Sequence, residues 1–442
     1  MPERRTRRPD RRSKPAAARP ARRAAEPRTD GPLLELEVGD VAHGGVFVAR
    51  HEGRVVFVAD AAPGERVVAR VQDASKDRFW RADAVEVLEA SPDRVPHIWA
   101  ESGIDRDPID RAGGAEFGHL RLGYQRELKG RVLADALSRF GGVEVAPAVE
   151  PVLVYEGAED VGTGWRTRVR LHVDADGNVG PYAARSHRVV PVASLPLAVP
   201  AIERIAPLGQ PFRGAEHVDL IAPSTGDAQI VVADARSSRS APPTVDEIVA
   251  GRRFTVDRDG FWQVHRGAAE TLYRAVQDAV DDALFDPRAA NLDLYGGVGL
   301  LAGALLDRFG ETVRLTTVEA DARATEHAGT NLAGAVGVRA ETARVDRFLQ
   351  RLVEHPTAAE RARLADATIV LDPPRSGAGR EVVDLLAASG ARQLVYVACD
   401  PVALGRDVGL LRAHGYELEE VRAFDLFPST HHVEAVARLT RR

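Results

Sequence analysis

Leu292-Asp293-Leu294-Tyr295-Gly296-Gly297-Val298-Gly299-Leu300-Leu301-Ala302 is the stretch that decides the fold. Its apolar start is typical of a buried strand, and a glycine-rich turn leads from this strand into a helical pattern. Further predicted strands at 313–318, 367–371 and 394–398 continue the alternation of strand and helix. This order predicts an α/β fold, a doubly wound and mostly parallel Rossmann-like sheet over residues 263–442, with ligands at the carboxyl ends of its strands.

The glycine-rich turn also carries a cofactor pattern. Gly297 and Gly299 begin a G-x-G-x-x-A match, and Glu319 lies where a ribose-binding acid would sit. We expect the two glycines to let a nucleoside-bearing cofactor approach the backbone, and Glu319 to hold its ribose hydroxyls. Both NAD and S-adenosylmethionine satisfy this pattern, so an NAD-dependent oxidoreductase stays open on these residues alone.

Asp372-Pro373-Pro374-Arg375 follows the strand predicted at 367–371. Two prolines fix an extended turn, which would hold Asp372 at the sheet edge, facing the cofactor crevice. A dehydrogenase has no need for this element, whereas a base-modifying methyltransferase must grip a base beside its methyl donor. A simple turn that ends the strand is the alternative.

Cys399 is the only cysteine of the 442 residues, and it ends the strand predicted at 394–398. Asp400 suits the N-cap of a following helix, and Pro401 suits its first position. A helix N-terminus favours the thiolate, which is the nucleophilic form of cysteine. We therefore interpret Cys399 as a candidate nucleophile; a small buried hydrophobic residue is the alternative.

Glu434 precedes the last predicted strand, at 435–439, so it would lie near the same sheet edge as Cys399. A carboxylate close to a thiol and a methyl donor suits a general base. The alternative is an exposed glutamate in a surface ion pair.

Composition limits the classes of function. The net charge is −6, yet residues 1–30 hold eleven Lys/Arg against four Asp/Glu. We predict a disordered basic tail over residues 1–32 that either binds polyanions or keeps the protein in solution. One cysteine excludes an intramolecular disulfide and an iron–sulfur cluster held by cysteines. The sequence shows neither a signal-peptide pattern nor a long apolar run, which predicts a cytoplasmic protein without a membrane segment.

Two regions lie between the tail and the α/β region. Residues 33–91 show about five short strands with turn signals, typical of an OB-like barrel. Within it, residues 76–81 mix cations with aromatic rings, as a nucleic-acid surface or an ordinary solvated hairpin would. Residues 92–262 form a central region of mixed α and β patterns, which we expect to bind RNA. Its three alternating arginines predict either a phosphate-tracking strand face or pairs with local acids: Arg166, Arg168 and Arg170.

Taken together, the motifs resemble one family, the RNA (uracil-5-)-methyltransferases, which form 5-methyluridine in tRNA and 23S rRNA. The resemblance covers roughly residues 33–442, and residues 33–91 are similar to the TRAM domain. The motifs that carry it are Phe261-Trp262-Gln263, Asp293–Gly299, Val318-Glu319, Leu371–Arg375, Tyr396–Pro401 and Phe427–Glu434. The resemblance implies S-adenosylmethionine as cofactor, with RNA as partner and no metal. It also implies that Gln263, Tyr295, Glu319 and Asp372 contact the cofactor, that Cys399 is the nucleophile and that Glu434 is the base.

The sequence departs from the family in three places. The cysteines that hold an iron–sulfur cluster in the ribosomal branch are missing, Gly296 replaces a cysteine, and His265 replaces an asparagine. None of these removes a group that the chemistry needs. We expect a monomer that methylates carbon 5 of a uridine through a covalent cysteine adduct, with 23S rRNA favoured over tRNA. A non-catalytic RNA-binding or RNA-folding protein that keeps the methyltransferase fold is the alternative.

Overall fold

The computed structural model describes residues 30–76, 78–155, 157–234 and 243–441. Residues 1–29 of the predicted basic tail lie outside the described residues, as does Asp77 of the predicted basic and aromatic stretch. Within the described ranges, no helix has both the length and the apolar character needed to cross a membrane.

The first region is a closed five-stranded barrel, which confirms the predicted OB-like fold. Its strands pair in the order β1-β2-β3-β5-β4. Alternate side chains point inward because successive residues of a strand face opposite sides, so Val56 and Val58 are fully buried in the barrel core. The strands are β1 Leu33–Ala42, β2 Val46–His51, β3 Arg54–Ala59, β4 Arg66–Asp73 and β5 Phe79–Glu89.

The central region holds one antiparallel sheet of four strands and one separate hairpin. Its elements are α1 Leu122–Ala136, continued by a π-helical turn to Gly141, β6 Val149–Pro151, β7 Arg168–Val173, β8 Val179–Gly180, α2 Pro200–Ile205, β9 Ala215–Ile221, β10 Gln229–Asp234, β11 Thr244–Val249 and β12 Arg252–Asp257. The four-stranded sheet has the order β10-β9-β7-β8, and β11 pairs with β12.

The predicted alternation of strand and helix forms the largest part of the molecule. Its elements are α3 Ala268–Ala279, β13 Asn291–Leu294, α4 Leu300–Phe309, β14 Leu315–Glu319, α5 Ala322–Asn331, β15 Val338–Thr342, α6 Val345–Glu354, α7 Ala358–Ala365, β16 Thr368–Leu371, α8 Gly379–Ser389, β17 Gln393–Ala398, α9 Pro401–Ala413, β18 Tyr416–Asp425 and β19 Glu434–Arg441. Their seven strands, together with β6 of the central region, build an eight-stranded sheet of order β15-β14-β13-β16-β17-β19-β18-β6. Apolar cores cover both of its faces, as a mostly parallel sheet requires.

The strand order reverses at β13, which pairs in parallel with β14 on one side and with β16 on the other. Leu294 is in register with both Val318 and Leu371, so the carboxyl ends of these three strands are level. Such a reversal opens a crevice at this edge of a parallel sheet. On the far side, β19 runs antiparallel to β17, and Ala398 pairs with Ala435. The amino end of β19 therefore lies beside the carboxyl end of β17.

Packing joins parts of the central region to this sheet. β6 forms its edge strand beside β18, and the β11–β12 hairpin buries Phe254 and Val256 in the core shared with α3 and α4. The predicted division between residues 92–262 and 263–442 thus follows chain order rather than packing, and the domain limits stay a prediction.

The three alternating arginines do not form one exposed face. Arg168 donates to the carbonyls of Arg258 and Gly260 and keeps only 12% of its side chain exposed. Arg170 forms a two-pronged pair with Asp219, and Arg166 lines an internal cavity. The expectation of a phosphate-tracking strand is wrong here because carbonyls, a carboxylate and burial engage these guanidinium groups.

Candidate active site

A cavity of about 1140 Å³ lies where the strand order reverses, at the carboxyl ends of β13, β14, β16 and β17. Seven of the eight predicted site residues line it, and they come from six different parts of the chain. They are Gln263, Tyr295, Gly297, Glu319, Asp372, Cys399 and Glu434. One cavity therefore contains both the predicted cofactor contacts and the predicted catalytic pair.

Glu319 and Gly297 form one end of the cavity, which we call the cofactor end. Glu319 ends β14, and its Oε2 accepts a hydrogen bond of 3.2 Å from the Gly297 N–H, while its Oε1 accepts one of 2.8 Å from the Asp321 N–H. Gly297 has φ +52°, and a Cβ there would meet nothing within 4 Å. The backbone thus fixes a carboxylate beside an open glycine.

Close packing explains why the neighbouring positions 296 and 299 have no side chain. A Cβ on Gly299, where φ is +91°, would lie 2.9 Å from Leu332 Cδ1, and Gly299 does not line the cavity. A Cβ on Gly296 would lie 2.0 Å from Thr317 Oγ1, because the hydrogen bond between Thr317 and Asp293 fills that space. The departure from a cysteine at position 296 therefore follows from close packing, and a cofactor role for Gly299 stays a prediction.

Acidic side chains gather behind the turn that follows β16. Burial raises the pKa of Asp293 to about 6. Burial, and then the nearby Asp293, raise the pKa of Asp372 to about 7. Burial and Asp372 likewise raise the pKa of Glu434 well above its usual value. These carboxyl groups therefore bind protons more readily than exposed acids do.

Cys399 and Glu434 face each other across the β17–β19 ladder. Ala398 and Ala435 are the last pair in register, and the next positions along the two strands are Cys399 and Glu434. Glu434 is 4% exposed, so it is not a surface ion-pair residue. Asp400 caps α9 by accepting a 2.8 Å hydrogen bond from the Ala403 N–H, as its sequence position predicts. We call the part of the cavity formed by Cys399, Glu434 and Asp372 the catalytic end.

The expected lowering of the thiol pKa is wrong for this structure. Burial, followed by the charges of Glu434 and Asp372, raises the pKa of Cys399 to about 12, although Arg375 opposes the rise. The sequence shows the helix N-terminus beside Cys399, whereas Glu434 and Asp372 come from distant parts of the chain and lie close only in the folded protein. A positive charge in this part of the cavity would be needed to favour the thiolate.

Sequence reasoning assigned no role to a line of charged and aromatic side chains beside the catalytic end. Arg375 Nη2 lies 3.5 Å from His432 Nε2, the rings of His431 and His432 are 4.0 Å apart, and His431 Nδ1 lies 3.4 Å from Glu116 Oε2. Arg375, His432 and Glu116 all line the large cavity. Arg375 and the two histidines stand inside motifs quoted above, whereas Glu116 is separated from His431 by 315 positions and carried no local signal.

Comparisons with known proteins show the family of the chain. A protein of Streptomyces avermitilis, named as an uncharacterized RNA methyltransferase, is 41% identical over 447 residues, which cover 92% of this chain and 98% of that protein. The 23S rRNA (uracil(1939)-C(5))-methyltransferase RlmD of Chromohalobacter salexigens is 32% identical over 462 residues, covering 95% of this chain and 92% of the relative. This chain belongs to the RNA (uracil-5-)-methyltransferase family.

Two sequence models and one solved structure place the family features along the chain. The model described as tRNA (uracil-5-)-methyltransferase matches residues 343–442, and the TRAM domain model matches residues 27–85. A crystal structure of the tRNA (uracil-54, C5)-methyltransferase of Pyrococcus abyssi, in complex with S-adenosyl-L-homocysteine, shares the fold with a TM-score of 0.65 and 21% identity. It covers 92% of this chain and 100% of that chain. This RNA (uracil-5-)-methyltransferase family member thus combines a TRAM barrel with a methyltransferase sheet.

Proposed function

We propose that this protein transfers a methyl group from S-adenosylmethionine to carbon 5 of a uridine in structured RNA, through a covalent adduct with Cys399. One observation carries the proposal: the only thiol of the chain and a buried carboxylate, Glu434, occupy facing positions at the end of a cofactor-sized cavity. This pairing supplies the nucleophile and the base that methylation of a uracil ring requires.

The cofactor end fits S-adenosylmethionine. The cavity of about 1140 Å³ has room for a nucleoside and a base side by side, and Glu319 offers carboxylate oxygens to ribose hydroxyls beside the open Gly297. Gln263 and Tyr295 line the same space. When bound, S-adenosylmethionine would supply the methyl group together with a positive sulfonium charge, and a positive charge close to Cys399 would lower the pKa of its thiol.

The residues of the catalytic end then have defined tasks. Carbon 5 of uracil is a weak nucleophile. It becomes reactive when the thiolate form of Cys399 adds to carbon 6, because the double bond between carbons 5 and 6 then opens to an enolate. Carbon 5 takes the methyl group, with S-adenosylhomocysteine as the leaving group. Carbon 5 still carries its hydrogen, which then leaves as a proton to Glu434. Loss of that proton allows the bond between sulfur and carbon 6 to break, which frees Cys399 and releases 5-methyluridine. This sequence uses one nucleophile and one base, and no metal takes part.

We infer that 23S rRNA is favoured over tRNA as substrate. The relative from Chromohalobacter salexigens, whose name specifies a uracil of 23S rRNA, matches almost the whole chain at 32% identity, which supports this choice. The target base must leave any stack to reach Cys399, so we expect a flipped or loop nucleotide. We further propose a monomer that acts in the cytoplasm, and analytical ultracentrifugation of the purified protein checks its oligomeric state.

The direct test incubates the purified protein and labelled S-adenosylmethionine with transcripts of 23S rRNA domains or of tRNAs. Nucleoside mass spectrometry should find 5-methyluridine in an rRNA transcript, and Cys399→Ala should form none. Methylation of tRNA alone would overturn the substrate choice. RNA binding without any methyl transfer would support the non-catalytic alternative, and calorimetric binding of NAD rather than S-adenosylmethionine would support an oxidoreductase.

A further inference from the structure

The turn between β1 and β2 of the barrel reaches the catalytic end of the large cavity. We call residues 42–46 the barrel hairpin. Four of its residues form one wall of a small cavity of about 120 Å³, and Cys399, Asp400 and Pro401 contribute to its other wall. The nucleophile therefore lies between the large cavity, which it also lines, and the tip of a barrel strand pair.

The first contact of the barrel hairpin is made to the residue that follows the nucleophile. His43 Nε2 lies 2.9 Å from Asp400 Oδ2, while the Oδ1 of the same carboxylate caps α9 at the Ala403 N–H. The hydrogen bond to Asp400 raises the pKa of His43, so a protonated imidazole donates here over a wider pH range. One carboxylate thus joins the barrel to the turn that holds Cys399.

The second contact is made to the segment that leads to the base. Gly45 has φ +73°, and a Cβ built there would lie 2.8 Å from His431 Cβ. His431 precedes Glu434 by three positions and also contacts Glu116. The next glycine of the same turn offers a contrast, because Gly44, with φ +90°, has nothing within 4 Å of its Cβ position.

We propose that the barrel hairpin is a positioning element for the catalytic pair, setting Cys399 through the contact of His43 with Asp400 and Glu434 through the packing of Gly45 on His431. The roles of Cys399 and Glu434 in this statement rest on the proposed function. Because His43 contacts one segment and Gly45 lies against the other, a shift of the barrel hairpin acts on both the nucleophile and the base. A displacement of about 1 Å in a reacting group can lower a rate by about 100-fold, so the position of the barrel bears directly on turnover.

Gly44 and Gly45 provide a matched pair of variants. Alanine at either position carries the backbone cost of a positive φ, but only Gly45→Ala pushes against His431. We expect Gly45→Ala to lower kcat by about tenfold or more, with its KM for RNA and its Tm close to those of Gly44→Ala. Equal kcat values for the two variants would overturn the proposal. A loss confined to the KM for RNA would also overturn it, since the barrel would then only anchor RNA.

His43 provides a second test that does not depend on how Gly45→Ala folds. His43→Ala removes the hydrogen bond to Asp400, whereas His43→Gln keeps an N–H donor at a similar reach. We expect His43→Ala to lower kcat about two- to fivefold, because the pair is partly exposed, and His43→Gln to restore most of it. Equal kcat values for His43→Ala and the wild type would remove this contact from the proposal.

A thiol readout separates this proposal from the proposed function. Cys399 is the only cysteine, so alkylation by iodoacetamide reports on it alone, without RNA or cofactor. We expect His43→Ala to slow alkylation about twofold or more relative to wild type and to His43→Gln, because only His43→Ala leaves Asp400 without the hydrogen bond that holds the turn beside Cys399. If the wild-type protein methylates no uridine, the proposed function is wrong. If the three proteins are alkylated at equal rates, His43 has no positioning role.

Discussion

The two ends of the large cavity differ in how their acidic side chains are stabilised. At the cofactor end, Glu319 is held by the N–H groups of Gly297 and Asp321. At the catalytic end, burial raises the pKa values of Asp372, Cys399 and Glu434, and the nearby Asp372 adds to the rise at the other two. The first end is arranged to bind a ligand as it stands. The second carries unfavourable electrostatics that a positive charge would relieve, which is what the proposed reaction places there.

The largest expected effect lies at the catalytic end. Cys399→Ala should lower methyl transfer by about 10³-fold or more, because no other thiol is available, while the affinity for S-adenosylmethionine changes only a few fold. Single-turnover assays with labelled cofactor, together with calorimetry, measure the two quantities. Substantial turnover in this variant would refute the nucleophile assignment and with it the contrast between the two ends.

A stability measurement tests the electrostatics of the catalytic end without any reaction. The pKa of Asp372 is raised to about 7, above the value of about 4 for an unfolded chain, so its ionisation opposes folding. The penalty is absent below pH 4, grows as the pH rises from about 4 to 7, and is complete above pH 7. Without added cofactor, Asp372→Asn should therefore raise the free energy of unfolding at pH 8 by on the order of 2 kcal/mol, and by little at pH 4.

Denaturant unfolding at several pH values gives this difference between Asp372→Asn and the wild type. Asp227→Asn is the matched control, since Asp227 is exposed and its replacement should leave stability unchanged at every pH. If Asp372→Asn destabilises the protein at pH 8, the catalytic end is not under electrostatic strain.

The smallest of these effects is expected at the cofactor end. Glu319→Gln keeps the size of the side chain but removes its charge, so the affinity for S-adenosylmethionine should fall about tenfold while kcat at saturating cofactor stays nearly the same. Calorimetry and steady-state kinetics measure the two values, and Glu354→Gln on α6 is the exposed control. A lower kcat with unchanged affinity would show that Glu319 belongs to the chemistry and would break the division between the ends.

The sequence was informative where function depends on local order. Cys399 could be placed at a strand end because an apolar run precedes it and a capping pair follows it. Glu434 could be placed at a strand start because an apolar run follows it. The closed barrel was predictable from alternating short strands. Each of these features is decided within about ten neighbouring residues, where period and turn chemistry act.

The features that could not be predicted join residues far apart in the chain. Burial, and then carboxylates from β19 and from the turn after β16, raise the pKa of the Cys399 thiol, so the helix N-terminus was a poor guide to that pKa. His43 meets Asp400 across 357 positions. Arg168 turns inward to the carbonyls of Arg258 and Gly260 instead of facing solvent. Tertiary packing determines the thiol pKa, the contact of His43 with Asp400 and the direction of Arg168, and no periodic pattern in the sequence predicts such packing.

The central claim is that Cys399 and Glu434 divide the reaction between them, and Glu434→Gln tests it most directly. Addition of the thiol and methyl transfer precede the step that needs the base, so this variant should stop as methylated RNA bound covalently to Cys399. On a denaturing gel with labelled RNA and S-adenosylmethionine, we expect a shifted band that is lost in the Cys399→Ala, Glu434→Gln double variant. Normal turnover of Glu434→Gln, or an inactive variant without a shifted band, would contradict the account.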